Sequence, residues 1–278
     1  MTPRLHKDDG WRLFLRTVMG RAYPRVIGAQ RQVSGLIFDV GLPLIALVAY
    51  IFVYRAIGAP EAFIGFVILG GAMGAFWMNV LWSMANQLFW EKETGNLALY
   101  IMAPTSLAAI LLGMAVGGIV LAALRAVAIV ALGSWLFHVR YVVASVPMLT
   151  LVFFLTLTAL YAMGAMFASL FLLFGREAWH LVNLSQEPVY LLSGMYFPVR
   201  SLNFWVAAGA SLIPLTLGLD AMRQLVFSSG AIVGFLTPRI ETAALFVLSL
   251  VFLVSARQSL RYMERLAVAE GRLSESRA

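Results

Sequence analysis

Asp39, Arg125 and Glu187 each interrupt an apolar stretch of this 278-residue sequence. A charge inside such a stretch is costly, so residues of this kind mark ion pairs, proton relays or the walls of a transport path. Arg125 and Glu187 fall near the middle of their stretches and Asp39 about one turn into its own. A pair between Arg125 and Glu187 is one expectation from these positions. Hydrolytic and redox chemistry is poorly provided for. The three histidines, His6, His138 and His180, are far apart in sequence, and no metal site or general-base pair is expected from them. Cysteine is absent, which excludes disulfides and thiolate chemistry. The only lysines are Lys7 and Lys92, and neither lies in the glycine-rich G-x-x-x-x-G-K-[ST] loop that cradles nucleotide phosphates. The chain is not expected to be an ATPase, or any other enzyme, by itself.

The elements that must hold those residues follow from composition. Hydrophobic residues make up 62% of the chain and charged ones 12%, about half the charge of an average soluble domain. Apolar runs of roughly 18 residues or more cross a hydrocarbon core as helices, because a helix satisfies its own backbone polar groups. The spacing predicts an all-α polytopic membrane protein with six spans, at Leu36–Tyr54, Ala62–Ala85, Leu107–Phe137, Val142–Phe174, Ala178–Phe197 and Ile240–Ala256. Leu202–Leu219 is the doubtful seventh, since it holds Pro214 and two glycines and barely reaches spanning length. Seven Lys and Arg residues precede the first span, from Arg4 to Arg31, and five follow the last, from Arg257 to Arg277. Positive flanks stay on the cytoplasmic side, so both termini are expected there and the span number is even. The formal charge of +7 is then a membrane-surface feature rather than a nucleic-acid footprint, and no cleavable signal peptide is expected.

Three regions result. Residues 1–34 form a cytosolic N-terminus whose Trp11, Phe14, Leu15, Val18, Ala22 and Val26 recur at helical spacing, predicting an amphipathic helix in the inner interface with a bend at Pro24. Residues 35–256 hold the six spans, and 257–278 form a basic cytosolic tail. Within the middle region, Pro198 to Gly234 reads as short helices that dip into the outer leaflet and return, with Pro198, Pro214, Asp220 and Arg223 marking it. Asn79, Asn183 and Gln186 are candidate interhelical hydrogen-bonding partners. Gly70, Gly71, Gly74, Gly113, Gly117 and Gly118 are spaced for close helix approach.

Between the second and third spans, at about 87–106, lies Phe89–Ser106, FWEKETGNLALYIMAPTS. Glu91, Lys92 and Glu93 are expected to expose one face to water. Gly95 permits a sharp turn, and a short amphipathic helix ends before Pro104. An element of this shape suits docking. Glu91, Glu93, Gly95 and Leu97, with Pro104 and Ser106 after them, resemble the signature segment of the ABC-2 type permeases, the membrane subunits of one class of ATP-binding-cassette exporter. The stretches SGMYFP (Ser193–Pro198) and IPLTLGLDAMR (Ile213–Arg223) resemble two further family features, and the likeness extends over nearly the whole chain.

The resemblance implies a coupling helix between spans two and three that sits in a cleft of a nucleotide-binding subunit, with Glu91, Lys92, Glu93, Gly95 and Pro104 at that contact. It implies paired re-entrant helices after SGMYFP. It also implies a homodimer of this chain with two ATPase subunits, which would hold the ATP and Mg, in a bacterial-type inner membrane. The cargo so implied is hydrophobic or amphipathic: a drug or antibiotic, a lipid or a lipid-linked glycan moved outward. The alternative from another class is a proton-coupled secondary transporter that uses Glu187 and Arg125 and needs no ATPase.

Overall fold

The computed structural model describes residues 7–30, 33–85, 90–91, 94–96, 99–100, 106–174, 176–227 and 234–270. Among them every regular element is helical. The order is α1 (Lys7–Gln30), α2 (Val33–Ala56), α3 (Ala62–Met78) running into a π-helical turn (Asn79–Ala85), α4 (Leu107–Phe137) and α5 (Val146–Phe174). Then come α6 (Arg176–Leu192), a single 3-10 turn (Val199–Ser201), α7 (Phe204–Ala210), α8 (Pro214–Val226) and α9 (Pro238–Glu270).

Local sequence explains several boundaries. Ser106 opens α4 by accepting the Ala109 N–H on its hydroxyl at 3.2 Å, which satisfies one of the amide donors a helix start leaves over. Asn203 does the same for α7 through the Trp205 N–H at 3.0 Å. Pro214 sits at the first turn of α8, where its missing N–H costs no helical bond.

α3 is the centre of the bundle. Its residues from Ile64 to Trp77 are mostly buried, between α2, α4 and α8, while its π-helical extension packs on α4 and α5. The longest pairings elsewhere are α5 with α9 and α1 with α4. Small residues set these distances, as helix packing without a hydrophobic driving force requires. Gly70 lies directly against the Met195 carbonyl, and Gly118 against the Asn79 side chain. Gly113 faces the Val18 backbone and Gly117 the Ala22 backbone. The two contacts advance by four residues in each helix, so α1 and α4 run side by side in the same direction.

Among the described residues five helices are long and apolar enough to cross a membrane: Ile37–Ala56, Ala62–Trp82, Leu107–Phe137, Val146–Ser169 and Pro238–Tyr262. The pair Phe204–Ala210 and Pro214–Val226 passes the same test together but is bent by 106°, which makes the count up to six. The expected fifth span, Ala178–Phe197, is shorter than the sequence suggested. α6 has 17 residues and stops at Leu192, because Gly194 at φ 73° turns the chain. The fourth span starts late for a different reason. Residues 142–144 lie outside any helix, and the Val142 and Ala144 N–H groups donate to the carbonyls of Val226 and Leu225 at 2.9 and 2.8 Å. Those carbonyls close α8 and have no helical partner of their own. α9 continues past Ala256 to Glu270, so part of the expected tail is helix.

The N-terminal helix also departs from a purely interfacial element. Val18 and Ala22 of its apolar stripe are buried, while Trp11, Leu15 and Met19 remain exposed. Gly113→Ala should therefore loosen α1, since the new Cβ would stand 2.7 Å from the Val18 carbonyl oxygen. A loss of about 1–3 kcal/mol is expected in thermal unfolding of the detergent-solubilised protein. Gly209→Ala, where nothing lies within 4 Å, should be neutral or slightly stabilising.

Candidate functional site

Three polar clusters lie at different levels of the bundle. The first is on the connection from α3 to α4. Glu91 is only 6% exposed, and its carboxylate is ion-paired with Arg21 of α1. It also accepts a hydrogen bond from Asn96 Nδ2 at 3.0 Å. The Arg21 guanidinium stands over the Tyr100 ring, 5.1 Å from its centroid, a placement that favours a cation through the ring quadrupole. Burial pushes the Tyr100 hydroxyl above its usual range, Arg21 opposes that shift, and Glu91 reinforces it. Gly95 turns the chain at φ 77°, a conformation costly for a residue with a Cβ.

This corrects the expectation that the whole charged run faces water. Glu91 is turned inward and tied to α1. Lys92, Glu93 and Pro104 lie outside the described residues. Arg21 was legible in the sequence only as a headgroup-reaching residue, because nothing local indicates a partner 70 positions away.

The second cluster joins α2 and α4. Arg125 of α4 is ion-paired with Asp39 of α2. Glu187, the partner expected from the sequence, is exposed on α6 instead. The Asp39–Arg125 pair stands in the wall of a cavity of about 550 Å³ bounded by α2, α3, α6 and the turn after it. Its walls are otherwise mainly apolar, with Leu42, Leu47, Ala75 and Met78 among them, and Tyr190 and Tyr196 contribute aromatic surface. Tyr196 is stacked between Tyr50 and Tyr190, with ring centroids 4.1 and 6.2 Å away and planes within 12°. The Tyr54 hydroxyl donates to the Tyr196 carbonyl at 2.6 Å and fixes this turn. Behind the pair, Asn79 accepts the Tyr161 hydroxyl at 3.0 Å, one of the interhelical bonds expected from the sequence. It does so at the head of the π-helical turn, a geometry often found at functional positions.

The third cluster closes the α6–α8 end. Arg223 is 1% exposed. Its guanidinium donates to the carbonyls of Gly194, Met195, Phe197 and Phe66, at 2.5, 2.8, 3.3 and 2.9 Å. Pro198 precedes the 3-10 turn in extended backbone, and Pro214 opens α8. Asp220 accepts the Phe235 N–H at 2.7 Å. Gln224, one turn along, donates to the Leu236 carbonyl at 2.7 Å and to Glu241 of α9 at 3.1 Å. Asp220 and Arg223 thus anchor two neighbouring sets of bonds from α8, one to the 234–241 segment and one to the turn after α6. Sequence reasoning missed Gln224 and Glu241; the i+4 spacing of Asp220 and Gln224 on one face of α8 was the available signal.

Among the described residues no group of three or more His, Cys, Asp or Glu side chains could hold a metal ion. The chemistry open to these clusters is the holding of charges between helices. A family model described as ABC-2 type transporter matches residues 25–227. No curated protein matches the chain.

Arg223→Met should lower the unfolding free energy by about 3 kcal/mol or more, because it strands several buried carbonyls at once. Chemical unfolding in detergent would measure this, and Arg223→Lys, which keeps a charge but not the planar fork, should recover only part of it.

Proposed function

The chain belongs to the ABC-2 type transporter family, and from that premise we propose that it is the transmembrane permease subunit of an ATP-driven exporter. The proposed cargo is hydrophobic or amphipathic, in keeping with the mainly apolar walls of the cavity. Energy comes from a separate nucleotide-binding subunit that carries the ATP and Mg. Two copies of this chain would enclose the path, and the exposed apolar side chains of α2, such as Phe38, Ile45 and Phe52, are surfaces that a second copy or lipid can cover. Both termini are placed in the cytoplasm and the protein in a bacterial-type inner membrane. α6 is read as the shortest of six spans, and α7 with α8 as the re-entrant pair.

The observation that carries the reading is the fastening of Glu91 to Arg21. A segment between two spans can transmit motion only if it is attached to something stiffer than itself. Here the attachment is a charge pair with one partner nearly buried, and breaking it would leave an uncompensated buried carboxylate. Arg21 lies on the face of α1 that packs on α4 at Gly113. Closure of the partner subunit against the Glu91 segment therefore displaces α1, and α1 carries the adjoining end of α4 with it. The change is conformational, with no covalent step in this chain. Lys92, Glu93, Gly95 and Pro104 supply the rest of the proposed coupling helix.

The carrier reading has lost its named pair, since Arg125 is engaged by Asp39.

Co-expression with its genomic neighbours and purification in mild detergent should recover an ATPase subunit in equal ratio. In proteoliposomes, Glu91→Lys with Glu93→Lys should leave nucleotide hydrolysis measurable while substrate-stimulated hydrolysis and transport fall by roughly tenfold or more, the scale of one lost charge-assisted contact. A chain that elutes alone and responds to no nucleotide would overturn the proposal.

A further inference from the structure

The cavity beside Asp39 and Arg125 is apolar along most of its length and ionic at one place. We infer that it binds an amphiphile with a single anionic headgroup, which takes Arg125 in exchange for Asp39 while the apolar body lies toward Tyr196. The inference deepens the permease reading and rests on it, because it states which molecules that permease would accept.

Three observations select an anion over a cation or a neutral body. First, the two members of the pair are not equally held. The Asp39 side chain is 43% exposed and that of Arg125 21%, so the carboxylate is the less enclosed member of the pair and the one that a competing anion can displace. Second, the surroundings of Arg125 add positive charge. Arg25 of α1 is lowered from its ordinary value, chiefly by burial, with Tyr161 opposing and with Arg21 and Arg125 contributing as like charges. An anion arriving at Arg125 relieves that repulsion, whereas an amine would have to compete with a guanidinium for Asp39 in the same field. Third, the remainder of the wall offers apolar and aromatic surface to a hydrocarbon or ring body. A volume of about 550 Å³ lies within the range of small-molecule sites.

The exchange also has a consequence for the helices. Asp39 belongs to α2 and Arg125 to α4, so a headgroup that replaces the carboxylate releases the only described ion pair between those two helices. Loading the cavity then loosens α2 from α4, which is the step a transport cycle needs.

The test uses the full-length chain in lipid nanodiscs, without ATPase subunit or nucleotide. Dansylaminoundecanoic acid and its uncharged methyl ester serve as fluorescent probes that differ only in the headgroup. The acid is expected to bind saturably to the wild type. Arg125→Gln should weaken it by roughly tenfold, the value of one charge-assisted contact. Arg125→Lys should restore most of the affinity, and Asp39→Asn should tighten binding by removing the internal competitor. The ester should respond to none of the three. Absence of saturable binding of the acid to the wild type overturns the inference. So does equal weakening by Asp39→Asn and Arg125→Gln, which would make the pair purely structural, and so does an ester that follows the acid. Since no partner or nucleotide is present, a negative result leaves ATP coupling intact, and a failure of ATP coupling leaves the binding result standing.

Discussion

The break after α6 is possible only because Arg223 collects the carbonyls it exposes. A helix that stops inside an apolar surrounding leaves acceptors that water cannot reach, each of which costs several kcal/mol in hydrocarbon. Gly194 turns the chain, and the carbonyls of Gly194, Met195 and Phe197 point at one guanidinium delivered from α8. The same group reaches Phe66 of α3, so the irregular turn is bound to a largely buried helix at the centre of the bundle. Gly70 allows α3 to lie directly on the Met195 carbonyl. Remove the planar five-donor fork and the turn, the position of α8 and the outer edge of the Tyr50–Tyr196–Tyr190 stack lose their common support.

A second set of constraints comes from small residues. Lipid offers helices no hydrophobic reason to associate, so contact must come from close backbone approach. α1 lies along α4 because Gly113 and Gly117 leave room for it, and the charged run after α3 has a firm neighbour because α1 is there. The order of dependence runs from glycine spacing to helix placement to the Arg21–Glu91 pair. None of these contacts is strong alone; together they join the connection between α3 and α4 to two long helices.

The charge pairs show where reading the sequence succeeded and where it stopped. Asp39 and Arg125 stood out as charges within apolar stretches, and Glu91 as an interruption that needed a reason. Their partners were not legible. Arg125 lies 86 positions from Asp39 and 62 from Glu187, and no periodicity distinguishes the two candidates. Glu91 was expected to face water together with Lys92 and Glu93, as three consecutive charges between apolar stretches. Its partner comes from a helix whose arginines looked equally suited to lipid headgroups.

Composition and spacing alone settled that this is a helical membrane protein, because burial of so much apolar surface has few solutions and helices satisfy their own backbone; the resemblance to the ABC-2 type permeases came from the motifs at Glu91–Ser106, Ser193–Pro198 and Ile213–Arg223. The same local rules placed α2 to α5 and α9 and the turn at Gly95. Only the tertiary structure decided that α6 ends at Leu192, that α5 begins at Val146, and that Arg223, Glu91 and Arg125 face the groups they do. Those outcomes depend on carbonyls and carboxylates brought together from distant parts of the chain. An ion pair or an acceptor-filled guanidinium is a property of positions in space, and sequence spacing reports space only within a single helix.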